Sequence, residues 1–396
     1  MNQILTVNTG SSSIKTALFH VAETEQLHMK GEIKNIGQPE GQLIVTNGCK
    51  EVLFNEKRPF SNHKDALKTF MDRMQTQQIN TIDAVGHRLV HGGKHYLEPQ
   101  RISEDVLAKL DRAIPFDPLH LPVELEGVRI IREMFPALPQ VACFDTAFHR
   151  RLPTAAKMFP LPRRFFEEGI YRYGFHGLSY EFILSALSAI AGEVEANGKI
   201  IIAHLGSGAS MAAIKEGRCL DTTMGLTSSG GLVMSTRSGD VDPGLLIFLM
   251  TERGLTGDAL RQLINRESGI LGISGVSADM KELLSKEESD SNAALAIEIF
   301  CLQASKFIGA FSSVLSGLHT LIFTGGIGEN SPPIRQRICA KLKHLGLNLD
   351  EINNEKNHPV ISNKESVVTV RVMQTNEELM IARHTHRVAC SERSPR

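Results

Sequence analysis

Two stretches of the chain decide its fold: ILTVNTGSSSIKTALF at residues 4–19 and IIIAHLGSGASMAAI at residues 200–214. In each stretch an apolar run leads through a turn of small polar residues into a second apolar run, a pattern that predicts a hairpin of two strands. Asn8 and His204 occupy matching places after the first apolar run, and each is followed two residues later by a glycine. The repeat predicts that the chain is internally duplicated.

Length and composition predict a globular protein. The 396 residues suggest two or three domains at roughly 150 residues each, and 42% apolar residues are enough to build their cores. With a formal charge of -1, the protein as a whole does not attract nucleic acid or anionic lipid electrostatically. Any anion that it binds has to be bound by a local group of residues. The chain has no apolar run of about 18 residues, no signal pattern and no zinc spacing among its cysteines. We expect a soluble, cytoplasmic protein that binds neither nucleic acid nor membrane.

Helical periodicities alternate with short apolar strands along the rest of the chain, which predicts a mixed α/β order. The predicted helices cover residues 62–78, 103–113, 121–134, 243–252, 256–266, 292–316 and 376–385, and the predicted strands cover 82–85, 140–144 and 366–373. Prolines and basic residues in HRRLPTAAKMFPLPRRFF, at 149–166, predict a domain boundary near residue 150.

Three turns have a composition suited to phosphate. NTGSSSIK at 8–15 offers hydroxyls and backbone N–H groups, but it is not a Walker A loop, because Lys15 lies within the second strand. HLGSG at 204–208 repeats the pattern, and GGIGEN at 325–330 lies between the strand LIFT and a helix opened by Ser331. Ser331 also occupies the last glycine position of a dinucleotide fingerprint, which disfavours a nicotinamide cofactor. The structural alternatives are an ordinary hairpin turn and glycines that let a helix pack closely.

GHRLVHGG at 86–93 admits two interpretations. His87 and His91, four residues apart, suggest a metal, but HExxH and a third nearby ligand are lacking. On a strand, Arg88 and Val90 share the opposite face, which suits a small carboxylate with a short alkyl tail. FDTAFH at 144–149, RYGFHG at 172–177 and STRSGDVDPG at 235–244 add further polar turns and suggest a composite cleft. Any one of these side chains could instead be a core histidine or a surface arginine.

Ten motifs together resemble the acetate kinase family, in its order and at its spacings, between residues 4 and 383. They are VNTGSSSIK, GHRLVHGG, DPLH, FDTAFH, RYGFHG, HLGSG, DTTMG, TRSGDVDPG, FTGGIGEN and TNEEL. The resemblance implies the fold shared with sugar kinases, actin and the heat-shock chaperone ATPases: duplicated ribonuclease H-like α/β domains flanking a nucleotide cleft. Residues 1–147 with the returning segment 377–396 would form one domain, and 148–376 the second, which would join two chains as a homodimer.

The resemblance also implies a role for each site residue. Mg²⁺, which Mn²⁺ can replace, would be bound at Asn8 and Glu377. The catalytic groups would be Arg88, His120, Asp145, His176 and Arg237. The acyl group would be bound by Arg88, Val90, Leu119, Phe175 and Ser228. The nucleotide, ATP or ADP, would contact Lys15, His204, Leu205, Gly206, Ser207, Gly208, Asp279, Met280, Lys281, Gly325, Gly326, Ile327, Gly328, Glu329 and Asn330.

The implied reaction is reversible in-line transfer of the ATP γ-phosphoryl group to acetate, which gives acetyl phosphate and ADP. Carboxylic acids titrate near pKa 4, so acetate is already ionised and needs no general base. Asp145 is therefore expected to orient a magnesium ligand or an arginine. Two unit charges repel by about 4 kcal/mol at 4 Å and an effective dielectric of 20. We expect Arg88, Arg237, His176 and the metal to offset this repulsion.

Five positions depart from the family's pattern. Leu121 and Glu124 stand where asparagines are usual, Ser228 replaces a proline beside the acyl pocket, Lys281 replaces an arginine and Ser207 an asparagine. These departures leave a propionate or butyrate kinase open as an alternative. A catalytically silent, actin-like nucleotide-binding regulator is the second alternative.

Overall fold

The computed structural model describes residues 2–77 and 81–391. These residues form two compact units, which we call the first and the second unit. The first unit comprises the described residues before Phe148 and after Thr375, and the second unit is Phe148–Thr375. Position 78 of the predicted first helix and residues 392–396 of the predicted C-terminal segment lie outside the described residues.

Strands and helices alternate along the described chain. The strands are β1 Gln3–Thr9, β2 Ile14–Val21, β3 Glu25–Lys34, β4 Gln42–Asn47, β5 Val52–Lys57, β6 Ala84–Leu89, β7 Gln100–Arg101, β8 Gln140–Phe144, β9 Lys199–Leu205, β10 Ala209–Lys215, β11 Arg218–Thr222, β12 Thr320–Thr324 and β13 Thr369–Val372. The helices are α1 His63–Thr76, α2 Glu104–Asp111, α3 Leu121–Met134, α4 Thr154–Lys157, α5 Arg163–Glu167, α6 Gly177–Ala191, α7 Glu193–Ala196, α8 Pro243–Thr251, α9 Gly257–Gln262, α10 Gly269–Ser274, α11 Met280–Lys286, α12 Ser291–Val314, α13 Gly325–Asn330, α14 Pro332–Ala340, α15 Glu351–Glu355 and α16 Glu377–Ser391.

Each unit is built on one sheet, and the two sheets share a topology. The order is β5-β4-β3-β2-β1-β6-β8-β7 in the first unit and β11-β10-β9-β12-β13 in the second. In both, the first strand of the hairpin pairs antiparallel with the second and parallel with a later strand. Asn8 and His204 are the penultimate residues of β1 and β9, so they occupy matching places. The predicted duplication and α/β fold class are confirmed.

Alternating side chains of the central strands form the core of the first unit. Leu5 and Val7 pack with Phe70 of α1 and Ile131 of α3 on one face of the sheet. Ile4, on the other face, packs with Ala382 of α16. The C-terminal helix therefore belongs to the same core as the N-terminal hairpin, because successive residues of a strand point to opposite faces.

The second unit buries both faces of its sheet. Ile200 and Ile202 of β9 pack with Tyr180 and Leu187 of α6, whereas α12 contacts β9, β10 and β11. Among the described residues α12 is the one helix long and apolar enough to cross a membrane, with 44% of its most apolar window buried. A core helix meets the same criteria, and α12 packs against α10, α11 and α14.

Several elements differ from the sequence-based expectations. Strands β3 to β5 and helix α6 were not predicted, because Gly31 interrupts the apolar alternation of β3 and because α6 is apolar on most of its surface, which obscures its helical period. GGIGEN was expected to be a loop but forms helix α13, since the Glu329 carboxylate accepts hydrogen bonds from Gly325 N and Thr324 Oγ1 at its start. The last helix runs on to Ser391 instead of ending at 385.

The contact between β6 and α16 leaves no space for a side chain at Gly86. A Cβ there would lie 2.1 Å from Thr385 Oγ1 and 2.6 Å from Ile381 Cγ2. We expect Gly86→Ala to destabilise the first unit by about 1 to 3 kcal/mol, because the helix has to move away from the sheet. Urea unfolding followed by circular dichroism measures the effect. Gly257→Ala is the control, since a Cβ at Gly257 meets nothing within 4 Å. Equal midpoints for the two variants would contradict this packing.

Candidate active site

In the first unit, one guanidinium lies among three carboxyl groups, a set that we call the Arg88 cluster. Arg88 Nη1 donates to Glu124 Oε1 at 3.1 Å, and Nη2 donates to Asp145 Oδ2 at 2.5 Å. Arg88 Nε lies 3.9 Å from Glu377 Oε2. The side chains of Glu124 and Asp145 are each 1% exposed and that of Arg88 is 18% exposed, so these charges are poorly screened by solvent.

The sheet topology brings these residues together. Arg88 lies near the end of β6, and Asp145 follows directly after the neighbouring parallel strand β8, so both stand at the carboxyl edge of the sheet. Glu124 lies in the first turn of α3, and Glu377 begins α16. Polar groups collect at this edge because parallel strands all end there.

Burial and the surrounding charges act in opposite directions on the cluster. Burial would lower the pKa of Arg88, but Asp145, Glu124 and Glu377 together raise it well above its usual value. Burial raises the pKa of Glu124 to about 8, against the opposing effect of Arg88. Burial also raises the pKa of Glu377. The cluster therefore has one permanent cation and more carboxyl groups than that cation can neutralise.

Asn8 and Lys15 lie on the hairpin whose first strand pairs with β6, the strand that holds Arg88. They face each other across the β1–β2 hairpin, and the charge of Lys15 lowers the pKa of Glu377 while burial raises it. The side-chain oxygens of Asn8 and Glu377 are hard donors beside an excess of carboxyl groups. Such a set suits a divalent cation that takes few protein ligands and completes its shell with water and substrate oxygens.

The remaining predicted residues of the first unit lie directly after β6 and directly before α3. Val90 is buried, and its N–H donates to Glu124 Oε2 at 2.7 Å. His120 precedes α3, and its Nδ1 lies 2.9 Å from Asp117 Oδ1, so the ring is held by a carboxylate. Leu119 is half-buried beside it.

The two histidines of GHRLVHGG are structural. His87 Nε2 lies 2.8 Å from the side-chain amide of Gln140, and burial lowers the pKa of His87 to about 4. His91 stacks on Phe116 and accepts a hydrogen bond from Gly93 N. Burial lowers the pKa of His91 to about 4 as well, so both rings are neutral at pH 7.

In the second unit, His176 is held in a strained and specific position. Its φ of 57° is left-handed, which is uncommon outside glycine. Nδ1 lies 2.8 Å from Ser210 Oγ, and the ring stacks on His204 with 4.3 Å between centroids. His204 Nδ1 lies in turn 2.9 Å from Ser179 Oγ. Serines therefore fix the orientation of both imidazoles, and Phe175, the residue before His176, is buried.

Arg237 and His176 converge on the backbone of Gly208. A Cβ at Gly208 would lie 2.9 Å from Arg237 Nη2 and 3.3 Å from His176 Nε2, so glycine is required for this approach. Arg237 Nη1 donates to the carbonyl oxygen of Ser228 at 2.7 Å, which fixes the direction of the guanidinium. The geometry places a cation and an imidazole beside the HLGSG turn, where charge on a bound anion would be stabilised.

A cavity of about 900 Å³ opens beside this turn. Of the predicted nucleotide-binding residues, those that line it are Gly206, Ser207, Asp279, Met280, Lys281, Gly326, Ile327 and Asn330, together with Arg237. Asp279 accepts hydrogen bonds from the N–H groups of Lys281 and Glu282 and so caps α11 at the cavity wall. Leu205, Gly325 and Gly328 are buried, and Lys15 belongs to the first unit.

Arg335, which was not predicted from the sequence, supports α13, a helix that contributes residues to the cavity wall. It is fully buried, and its Nη1 donates to the carbonyl oxygens of Gly328 and Glu329 near the end of α13. Asn354 and Asn357 accept its other hydrogen bonds. The sequence reasoning also missed Ser179 and Ser210. Their only signal was their place beside two predicted motifs, one after RYGFHG and the other two residues past HLGSG.

Comparison with known proteins places the chain in a family. Residues 3–383 match the model of the acetokinase family. The chain is 42% identical to an acetate kinase of Nitrobacter hamburgensis, over 97% of this chain and 96% of that protein. It is 39% identical to a propionate kinase of Escherichia fergusonii, over 99% and 98%. A crystal structure of a propionate kinase from Francisella tularensis superposes with a TM-score of 0.92 at 36% identity, over 98% of this chain and all of the other. The chain therefore belongs to the acetokinase family, whose members are phosphotransferases with a carboxyl group as acceptor.

Proposed function

We propose that the protein catalyses reversible, magnesium-dependent transfer of the γ-phosphoryl group of ATP to acetate, giving acetyl phosphate and ADP. The observation that carries the proposal is the convergence of Arg237 and His176 on Gly208, beside a cavity of about 900 Å³. A cavity of this volume suits a nucleotide. The guanidinium and imidazole stand where they can stabilise charge on a phosphoryl group.

Phosphoryl transfer to acetate requires positive charge that offsets the repulsion between two anions, and it requires no general base. Acetate is ionised at neutral pH, so its oxygen can attack the γ-phosphorus in line as ADP leaves. The barrier includes the repulsion of two anions, which amounts to about 4 kcal/mol for unit charges 4 Å apart at an effective dielectric of 20. We assign Arg237 and His176 to the transferring phosphoryl group and Arg88 to the acyl carboxylate.

The carboxyl groups around Arg88 have a positioning role. Asp145 accepts a hydrogen bond from Arg88 Nη2 at 2.5 Å, which fixes the plane of the guanidinium. Val90, Leu119, Phe175 and Ser228 supply the surroundings of the alkyl group in this proposal, and His120 supplies a donor nearby.

Magnesium would be held by the side-chain oxygens of Asn8 and Glu377. When bound, the ion neutralises phosphate charge and orients the γ-phosphoryl group. Magnesium is a hard cation, and hard cations prefer oxygen ligands of this kind. The excess of carboxyl groups in the Arg88 cluster, to which Glu377 belongs, also favours a cation. Manganese, which accepts the same ligand types, can take its place.

The length of the acyl chain distinguishes acetate from propionate as the substrate. The relatives include proteins named propionate kinase as well as acetate kinase. Ser228, which is 8% exposed, stands where the family usually has proline, and serine is smaller and more polar than proline. We propose acetate as the preferred substrate and propionate as the alternative.

Arg237→Ala tests the phosphoryl-transfer assignment. Removing one such donor is expected to lower kcat by about 10² to 10³, measured by trapping acyl phosphate as the hydroxamate. Arg261→Ala is the control, since Arg261 pairs with Asp258 on the surface of the same unit. Wild-type turnover in Arg237→Ala would refute the assignment. ATP binding by the wild type with no acyl phosphate would instead favour a silent regulator.

Ser228→Pro tests the acyl pocket. The proline ring is larger and less polar than the serine side chain, so in this proposal kcat/KM for acetate relative to propionate should rise by about tenfold. Hydroxamate assays with acetate, propionate and butyrate measure this ratio. The neighbouring Ser229→Ala, whose hydroxyl bonds to Asn265, is the control. An unchanged ratio would remove Ser228 from the pocket.

We also propose that two copies associate through α8. Its apolar side chains are exposed: Leu245 by 44%, Ile247 by 63%, Phe248 by 46% and Met250 by 45%. So many exposed apolar side chains on one short helix are typical of an interaction surface. A cytoplasmic location is proposed as well, because the six cysteines, all within the described residues, form no disulfide.

Ile247→Asp tests the proposed dimer. A charge in the middle of the exposed face of α8 should convert a dimer into a monomer, because it would be buried without a partner. Light scattering after size-exclusion chromatography measures the mass. Ile190→Asp, at an isoleucine of α6 that is 61% exposed, is the control and should remain dimeric. A wild-type protein that is monomeric at micromolar concentration would exclude the dimer.

A further inference from the structure

Glu124 connects the two groups that the proposed function gives to the acyl substrate. One of its carboxyl oxygens accepts a hydrogen bond from Arg88 Nη1 at 3.1 Å, and the other accepts one from Val90 N at 2.7 Å. Its side chain is only 1% exposed. Arg88 is the proposed cation for the acyl carboxylate, and Val90 is a proposed wall of the alkyl pocket. Glu124 is therefore hydrogen-bonded both to the Arg88 guanidinium and to the Val90 backbone, and its side chain is buried.

The charges that face Glu124 come from every element around it. Arg88 on β6 is the permanent cation, and Asp145, after β8, accepts from the same guanidinium. Glu377 at the start of α16 approaches Arg88 from a third side, with Lys15 near enough to affect its titration. Asp117, before α3, also repels the ionised form of Glu124.

The histidines nearby do not cancel this repulsion. His120 is bound to Asp117 through its Nδ1, and His91 is neutral because burial lowers its pKa to about 4. One guanidinium thus faces Glu124, Asp145 and Glu377. A substrate carboxylate would be a fourth carboxyl group on the same cation, and buried like charges repel strongly.

We propose that Glu124 is a positioning residue of the acyl site that orients Arg88 and the Val90 backbone, and that a proton on Glu124 accompanies the bound substrate carboxylate. The proposal deepens the proposed function and rests on it, since it takes Arg88 as the acyl-binding cation. No covalent step is involved. The proton comes from solvent and returns to solvent when the carboxylate leaves.

The titration of Glu124 is consistent with this coupling. Burial raises the pKa of Glu124 to about 8, and Asp145 and Asp117 act in the same direction, whereas Arg88 and the Val90 N–H lower it. Below that pH the group is mainly neutral. A bound anion raises the pKa further, so the substrate prefers the protonated form. Affinity for acetate should therefore be constant at low pH and fall as pH rises through about 8.

The test compares wild type, Glu124→Gln and the control Glu126→Gln, an exposed carboxylate on the same helix. The amide of Glu124→Gln cannot ionise and can still accept one of the two hydrogen bonds. KM for acetate and for ATP and kcat are measured from pH 6.5 to 9.5. For wild type and Glu126→Gln, KM for acetate should rise by up to about tenfold between pH 7 and pH 9. In Glu124→Gln that rise should be absent, and KM for ATP should be unaffected by the substitution.

Calorimetry of acetate binding in two buffers of different ionisation enthalpy provides a readout that does not depend on turnover. Near pH 9, wild type should take up close to one proton per acetate bound and Glu124→Gln close to none. Uptake retained by Glu124→Gln, no uptake by wild type, or the same pH profile of KM in both proteins would overturn the proposal. Failure of the proposed function has a different signature, because wild type would then form no acyl phosphate at any pH.

Discussion

Charge balance around Arg88 is the constraint on which the rest of the proposed chemistry depends. A largely buried guanidinium is stable only when its N–H groups are hydrogen-bonded and its charge is compensated, and here Glu124 and Asp145 accept its hydrogen bonds. The same carboxyl groups oppose a substrate anion. The first unit therefore needs further positive charge, which we assign to a divalent cation at Asn8 and Glu377 in the proposed function.

Duplication of the fold has produced two different sites from one arrangement of strands. Both sheets place a hairpin beside a parallel strand, and the penultimate residue of the first strand faces the site in each proposal. In the first unit that residue is Asn8, an oxygen donor suited to a metal. In the second it is His204, which stacks on His176 beside a glycine turn. The topology is shared, and the chemistry follows from the side chains at the strand ends.

Local patterns predicted the hairpins well, because strand alternation and small turn residues act within a few residues of sequence. They also predicted α3 and β8 at their observed bounds. Prediction failed where distant residues decide the structure. Gly31 interrupts the pattern of β3 because Phe70 packs against it. The glycines of α13 are helical because the carboxylate of Glu329 and the buried Arg335 support both of its ends.

The sequence by itself determined the duplicated α/β class, the family and the identity of the candidate site residues, since these follow from motifs that are each contiguous. Only the tertiary structure decided which charges meet. Arg88, Glu124, Asp145 and Glu377 are far apart in the chain, and they approach one another because strands β6 and β8 end side by side where α3 and α16 begin. The coupling of their charges depends on those distances and on burial, and neither quantity is encoded in a local pattern.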